Sequence, residues 1–298
     1  MNGGEKDGGG AFRPRVPAGT AARDLPVALT VAGSDSGGGA GIQADLLTFA
    51  AHGVFGTTAI SALTAQNPRG VSGVHPVPAA FVLEQAEQVA RFFPVSAAKT
   101  GMLADAEIIS AVADFFSAHR EIRLVADPVM IATSGARLID EDAVSALRER
   151  LLPLASLVTP NLDEAEVLLG EKFSWRGNAA AEAEEMPRSA QRLADALGVP
   201  ALLKGGHGAG AKILDVLAFP GDAASRFAEV HARIEETDTH GSGCTLSAAV
   251  AANLALDAGK NFGEKERLVR AVSRAAAYAA RGIAFPLRVA GARFIAHL

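Results

Sequence analysis

The sequence predicts a layered α/β fold with a mostly parallel central sheet and one antiparallel hairpin at the sheet edge, and three observations carry that prediction. From Leu25 onward, short apolar runs alternate with amphipathic stretches, the pattern of repeated βαβ units. The apolar runs are nearly continuous, as expected of strands covered by helices on both faces. After Gly206 the texture changes to two strand-like runs around a Pro-Gly-Asp turn.

Taken in chain order, PVALTVAG (26–33) is the first expected strand, and the glycine turn after it feeds a helix over 42–52. TTAISALTA (57–65) is the second strand, closed by Gln66, Asn67 and Pro68, and an amphipathic helix follows over 79–92. SAAKTG (96–101) precedes a helix over 105–119 with Asp105 at the N-cap, and IRLVAD (122–127) precedes one over 140–151 with Asp140 at the N-cap and Pro153 beyond its end. SLVTP (156–160) runs into a helix over 162–169. The acidic stretch 174–187 reads as a solvated surface insertion before a helix over 188–197. PALLKGG (200–206) is the last strand of the parallel series. KILDVLAF (212–219) and SRFAEVHARIE (225–235) then form the edge hairpin about Pro220, Gly221 and Asp222. Two alanine-rich helices, 244–256 and about 263–283, close the domain.

At 298 residues, 49% hydrophobic and 20% charged, the chain suits one domain spanning 25–298. Residues 1–24, rich in glycine with Pro14 and Pro17, are expected to be a disordered tail. They lack the apolar stretch of a secretory signal, and Glu5 and Asp7 are foreign to a transit peptide. A net charge of -5 gives no basic surface for a phosphate backbone, so no nucleic-acid partner is expected. No membrane segment is expected either, since no run approaches the roughly 20 apolar residues a span requires. The single cysteine, Cys244, excludes an intramolecular disulfide framework and points to a reducing compartment, the cytoplasm. His52, His75, His207 and His240 are not at metal-ligand spacing, and no zinc site is assigned.

Three segments and three single residues carry chemistry. In AGSDSGGGAGIQAD (32–45), four glycines fall within five positions between a strand and a helix. Such a turn admits close approach of a ligand to backbone amides at a helix start, or it is a strained connection needing positive φ. It matches neither the GxGxxG nor the GxxxxGK[ST] spacing. In THGSGCTLSAAVAANLAL (239–256), a Gly-Ser-Gly turn opens a helix, so that the amides of Gly241, Ser242, Gly243 and Cys244 converge where charge on a transferred phosphoryl group could be stabilised. There the helix field should lower the Cys244 thiol pKa and suit it to accept a proton; the competing reading is a small buried apolar filler.

In TPNLDEAEVLL (159–169), Asn161 and Glu164 have the spacing of a capping box, while a carboxylate beside a phosphate site could hold water around magnesium. Asp127, at another strand end, could serve the same ion or simply form the turn before Pro128. Lys204 leaves its strand into a double glycine, where it is either a charge for nucleotide phosphates or a solvated strand end. Gln66 could read a heterocycle edge, donating and accepting through one amide, or could be a polar turn residue.

Assembled, these blocks resemble the hydroxymethylpyrimidine and phosphomethylpyrimidine kinases of thiamine synthesis, a branch of the ribokinase-like superfamily. The resemblance spans about Val27 to Ala284. It rests on AGSDSGGGAGIQADL, ALTAQN, KTGML, DPVM, SGARL, LVTPNLDEA, LLKGGH and THGSGCTLSAA in that order. It implies a three-layer α/β/α sandwich and an enzyme that uses ATP and Mg2+ to phosphorylate an aminopyrimidine alcohol and then its monophosphate. By position it implies a pyrimidine pocket of Gly33, Asp45, Gln66, Met102 and Val129, with Cys244 as the catalytic cysteine and Gly241, Ser242 and Gly243 as the anion hole. Lys204, Asn161 and Thr239 would serve the nucleotide, and Glu164 and Asp127 the metal. It also implies a homodimer.

The chain departs from the family pattern in reading SDSGGGAG where relatives often have SDSSGGAG or SDPSGGAG, in Thr64, and in a longer 174–187 segment. Relatives of the same branch that phosphorylate pyridoxal, pyridoxine or pyridoxamine are the alternative, and only the pocket separates the two. A nicotinamide-dependent oxidoreductase would leave the GSGC turn unexplained, and a non-catalytic regulator would leave Cys244, Lys204 and Glu164 without purpose.

Overall fold

The structure, a computed structural model, describes residues 24–130, 140–206, 208–234 and 240–297. The first expected strand forms as β1 (Val27–Ala32), buried at all six positions. It lies between β2 (Phe55–Ile60) and β5 (Val95–Thr100), parallel to both. The sheet continues through β6 (Arg123–Ala126), β7 (Leu157–Val158) and β8 (Ala201–Leu203), all parallel, and ends on β9 (Lys212–Phe219) and β10 (Asp222–Ala232), which are antiparallel. This is the predicted edge hairpin.

The sheet separates two apolar layers, and successive strand residues feed them alternately. Leu29 and Val31 of β1, with Leu124 and Ala126 of β6, join a cluster with α2 (Ala79–Phe92), α3 (Ala106–Ala118), α5 (Leu162–Leu169) and α6 (Ala179–Leu197). Ala28 and Val125 point the other way, toward α1 (Gly41–Ala51), α7 (Ser242–Leu256) and α8 (Glu264–Ala284). Both faces are apolar for that reason. Within α7 every residue from Thr245 to Ala255 is buried, so its alanines let a central helix lie close to the sheet. The expected N-caps form: Asp105 accepts from the amide of Ile108, and Asp140 from that of Ala143.

Elsewhere the structure corrects the sequence reading. The run 57–65 is not one strand, because the chain turns out of the main sheet at Ser61, whose hydroxyl donates to Met102 O. β3 (Ala62–Asn67) then pairs with β4 (Gly70–Pro76) as a separate antiparallel hairpin. The acidic stretch 174–187 is not a wholly solvated loop. From Ala179 it is the first half of α6, capped by Asn178, and Glu182 is buried with its carboxylate accepting from the amides of Gly177 and Ala209. The helix expected over 140–151 is regular only as α4 (Glu141–Ala146); a π turn (Leu147–Leu151) and a 3-10 turn (Leu152–Leu154) holding Pro153 complete it. Beyond α8 lies an unanticipated hairpin, β11 (Leu287–Val289) and β12 (Ala292–Phe294), turning on Ala290 and Gly291 with positive φ. Residues 1–23, the SGARL block and Thr239 lie outside the described residues.

Candidate active site

The C-terminal ends of parallel strands are where an open α/β sheet binds ligands. Here those ends present Gly33 after β1, Met102 after β5, Asp127 after β6, Asn161 after β7 and Lys204 after β8, all lining one cavity of about 970 Å³. Both glycine turns line it too. They touch through their backbones. Gly241, the N-cap of α7, has φ +81, and a Cβ on it would collide with Gly39 O.

The first turn is organised by a residue that sequence reasoning passed over. Asp35 accepts from the amides of Gly37, Gly39 and Ala40, at 2.8, 3.0 and 2.8 Å. Those amides are therefore spent on a carboxylate and do not form an anion site. Burial pushes the Asp35 carboxyl up, but hydrogen bonds from His240 and the loop amides prevail and hold it below its ordinary value. The second turn is different: among the described residues no side chain caps the start of α7, which lies beside Lys204. A Cβ on Gly243 would come within 3.3 Å of Lys204 Nζ.

Lys204 Nζ lies 2.9 Å from Asp127 Oδ1, and hydroxyls of Thr159 and Ser247 also donate to Asp127. Burial would lower the Lys204 pKa, yet Asp127 and Glu164 raise it, so the ammonium is retained. Asn161 and Glu164 form the complete capping box: Asn161 Oδ1 accepts from Glu164 N and Glu164 Oε2 from Asn161 N, at 2.9 and 2.8 Å. Burial raises the Glu164 pKa to about 7; Lys204 opposes this and Asp127 adds to it. Capping and cavity lining thus coexist in the same side chains.

Since the Glu164 pKa lies above the ordinary value of 4.5, folding favours its neutral form. The contribution of this group to stability is fullest below about pH 4.5 and declines as pH rises toward about 7, by about 3 kcal/mol in all. Glu164→Gln keeps an acceptor for Asn161 N and removes the charge. The variant is expected to lack this decline and to melt higher than the parent at neutral pH. Equal slopes of melting temperature against pH in the two proteins would refute it.

Of the expected heterocycle residues, Gly33, Gln66, Met102 and Val129 line the cavity. A Cβ on Gly33 would lie 2.6 Å from Met102 Cε, the far end of a flexible side chain, so a larger residue there would displace that methyl group. Asp45 is a correction. It lies beneath the cavity wall, fully buried, accepting from Lys99 Nζ at 3.0 Å and from Thr30 Oγ1 at 2.6 Å. Its partner Lys99, equally buried, borders the cavity. Burial would lower the Lys99 pKa, but Asp45 first, then Cys244 and Asp127, carry it well above the ordinary lysine value. A lysine inside the apolar run SAAKTG was the available signal.

The thiol is the second correction. Although Cys244 as a residue is only partly covered, burial around its sulfur raises its pKa above the ordinary 9.0. Lys99 and a hydrogen bond from the Gly41 amide act in the opposite direction without prevailing. The helix-start argument missed this because the field of one helix is weaker than desolvation beside Asp45 and Asp127.

A family model for phosphomethylpyrimidine kinase matches residues 35–294. A hydroxymethylpyrimidine/phosphomethylpyrimidine kinase of Rhizobium meliloti is 46% identical over 252 residues, 85% of this chain and 88% of that protein. The thiamine biosynthesis bifunctional protein ThiED of Geobacter sulfurreducens is 48% identical over 261 residues, 87% of this chain, and the chain spans 50% of that protein's length. Among solved structures, an ADP complex of Bacillus subtilis pyridoxal kinase superposes with a TM-score of 0.77 at 34% identity, covering 92% of this chain and 98% of the other. Uncapped helix start, buried lysine and strand-end carboxylates are thus set in a sequence that the family model matches almost from the first glycine turn to the last hairpin, and the chain belongs to the phosphomethylpyrimidine kinase family.

Proposed function

We propose that this kinase transfers the γ-phosphoryl group of ATP to the hydroxymethyl oxygen of 4-amino-5-hydroxymethyl-2-methylpyrimidine, and then a second phosphoryl group to the monophosphate, giving the diphosphate used in thiamine diphosphate synthesis. The observation that carries the reading is that the two glycine turns share one cavity, with a heterocycle-sized end at Gly33, Gln66, Met102 and Val129 and a cationic end at Lys204 and the start of α7. The alcohol oxygen sits beside Cys244, where the two ends meet. ATP lies with its phosphates along Lys204 and Asn161, and the amides of Ser242, Gly243 and Cys244 take the charge that builds on the migrating group. Phosphoryl transfer asks the protein mainly for this positioning.

Asp127 and Glu164 fit a magnesium ion held largely through its water: both supply hard oxygen atoms, and the repulsion that helps raise the Glu164 pKa is one that a cation would relieve. When bound between Asp127 and Glu164, the ion would neutralise charge on the phosphates. A cytoplasmic location agrees with the single free thiol. Pairing of two copies agrees with the exposed Leu63, Val71 and Val74 of the β3–β4 hairpin.

The test is phosphorus NMR of a reaction containing ATP, magnesium and the aminopyrimidine. Monophosphate followed by diphosphate is the expected result. The alternative substrate class is favoured by the B. subtilis neighbour, described as a pyridoxal kinase. Steady-state kinetics with both heterocycles decide the matter, and a higher kcat/KM for pyridoxal overturns the preference.

A further inference from the structure

His240 stands between the two glycine turns, and its contacts constrain how Gln66 is presented. Its Nε2 lies 3.3 Å from Asp35 Oδ2 and 3.2 Å from the position of the Gln66 side-chain nitrogen, Nε2. Asp35 already accepts three backbone amides, and its pKa is held low, so it faces the imidazole as a carboxylate with nothing to donate. The Nε2 atom must therefore carry the hydrogen. A ring nitrogen bearing hydrogen cannot accept from an NH2 group, and the oxygen and nitrogen of a glutamine amide exchange places by a half-turn that leaves its shape unchanged. Gln66 accordingly offers its carbonyl oxygen to His240, and its NH2 faces away from the imidazole.

The remaining freedom of Gln66 is small. Its backbone is pinned on both sides by Ser36, whose hydroxyl donates to Gln66 O and accepts from Gln66 N, each at 2.7 Å. The imidazole is itself confined, since Gly39 lies so close that a Cβ there would come within 3.0 Å of His240 Cδ2.

We propose that His240, oriented by Asp35, is a positioning residue that fixes the Gln66 amide with its NH2 toward the substrate, so that the pocket selects a heterocycle with an acceptor ring nitrogen at that edge. The assignment rests on the reading of this end of the cavity as the heterocycle subsite. It gives specificity a source outside the direct contacts. A ring with C–H at the same place would leave the donor unpaired, whereas a glutamine free to rotate could turn its oxygen toward such a ring.

The experiment compares the aminopyrimidine alcohol with its two analogues in which one or the other ring nitrogen is replaced by C–H. For one analogue the parent enzyme is expected to lose at least about 30-fold in kcat/KM. In His240→Phe, which keeps ring volume but has no N–H, this discrimination should fall below about threefold through a rise in KM for the parent heterocycle, with KM for ATP within about twofold. His240→Gln, which restores an N–H near Nε2, should recover most of it. Adding His240→Phe to Gln66→Leu should cost nothing further, because the two act through one contact.

Discrimination retained in His240→Phe while Gln66→Leu abolishes it overturns the inference and leaves the heterocycle reading standing. A Gln66→Leu enzyme with unchanged KM and discrimination overturns the heterocycle reading itself. A parent enzyme indifferent to both analogues overturns the inference. Should His240→Phe not fold, as judged by its melting curve, His240→Asn and His240→Gln provide the same comparison.

Discussion

Replacing Lys204 with methionine is expected to lower kcat/KM for ATP by about 10³-fold, the size of effect seen when a donor aimed at developing charge is removed. Methionine keeps most of the apolar stem and the length, so the change isolates the ammonium. That ammonium is the cation between Asp127, 2.9 Å away, and the open start of α7, where a Cβ on Gly243 would come within 3.3 Å. Without it, a triphosphate would approach two buried carboxylates, Asp127 and Glu164, with one positive charge fewer to offset the repulsion. The fold should also weaken, because taking one member from a buried pair strands the other, at a cost of about 3–5 kcal/mol when nothing else satisfies it. Thr159 and Ser247 still donate to Asp127, which places the loss toward the lower end. Nucleotide titration and turnover measured on protein shown to be folded by circular dichroism check the prediction. An unchanged KM for ATP with turnover within fivefold of the parent would remove Lys204 from the nucleotide end of the cavity.

Much of this arrangement was legible in the sequence because the same physics acts locally and globally in the buried strands. A strand covered on both faces has no polar side, so runs such as PVALTVAG and IRLVAD announce their position directly. The run TTAISALTA obeys the same rule but crosses from one sheet to another at Ser61, and the hydroxyl contact with Met102 that anchors the crossing joins residues 41 apart. Composition carries no trace of such a contact. The β11–β12 hairpin was hidden because its turn uses Ala290 and Gly291 in place of the Asn-Gly or Asp-Gly pair that usually marks one.

The same distinction governs the site. Gly241, Lys204 and Asn161 were readable because glycine, charge and a capping pattern at strand or helix ends have few other uses. The positions of Asp35, Lys99 and Asp45 depend on partners far away in sequence: Asp45 is 54 residues from Lys99, and His240 is 205 from Asp35. The residue types hinted at buried polarity, while the pairing of Asp45 with Lys99 beneath the cavity needed the assembled fold. Glu182 is a parallel case, since an acidic surface run and a buried acceptor for the Ala209 amide look alike until the loop between β8 and β9 is placed beside it.

Cys244→Ala is expected to slow the first phosphoryl transfer by about 10² to 10⁴-fold, the range of a lost proton acceptor, and the second by less than about tenfold. The difference follows from the two nucleophiles. A hydroxymethyl group must lose a proton as it attacks, whereas a phosphate monoester, with a second pKa near 6, already carries its charge at neutral pH. Because burial raises the thiol pKa above its ordinary value, the thiolate is a minor species at neutral pH. The first step of the parent enzyme should therefore accelerate nearly tenfold per unit between about pH 6.5 and about pH 8.5, while the second stays nearly flat above about pH 7. Lys99 and Asp45 act on the thiol in opposite directions: the buried ammonium favours the thiolate before it takes the proton, and Asp45 beside it limits that effect. The Ala variant should lose the slope along with the rate. Near-parental turnover of the alcohol in Cys244→Ala, or a flat profile for the parent's first step, would leave the sulfur as packing at the start of α7 and return the whole of catalysis to the backbone amides and Lys204.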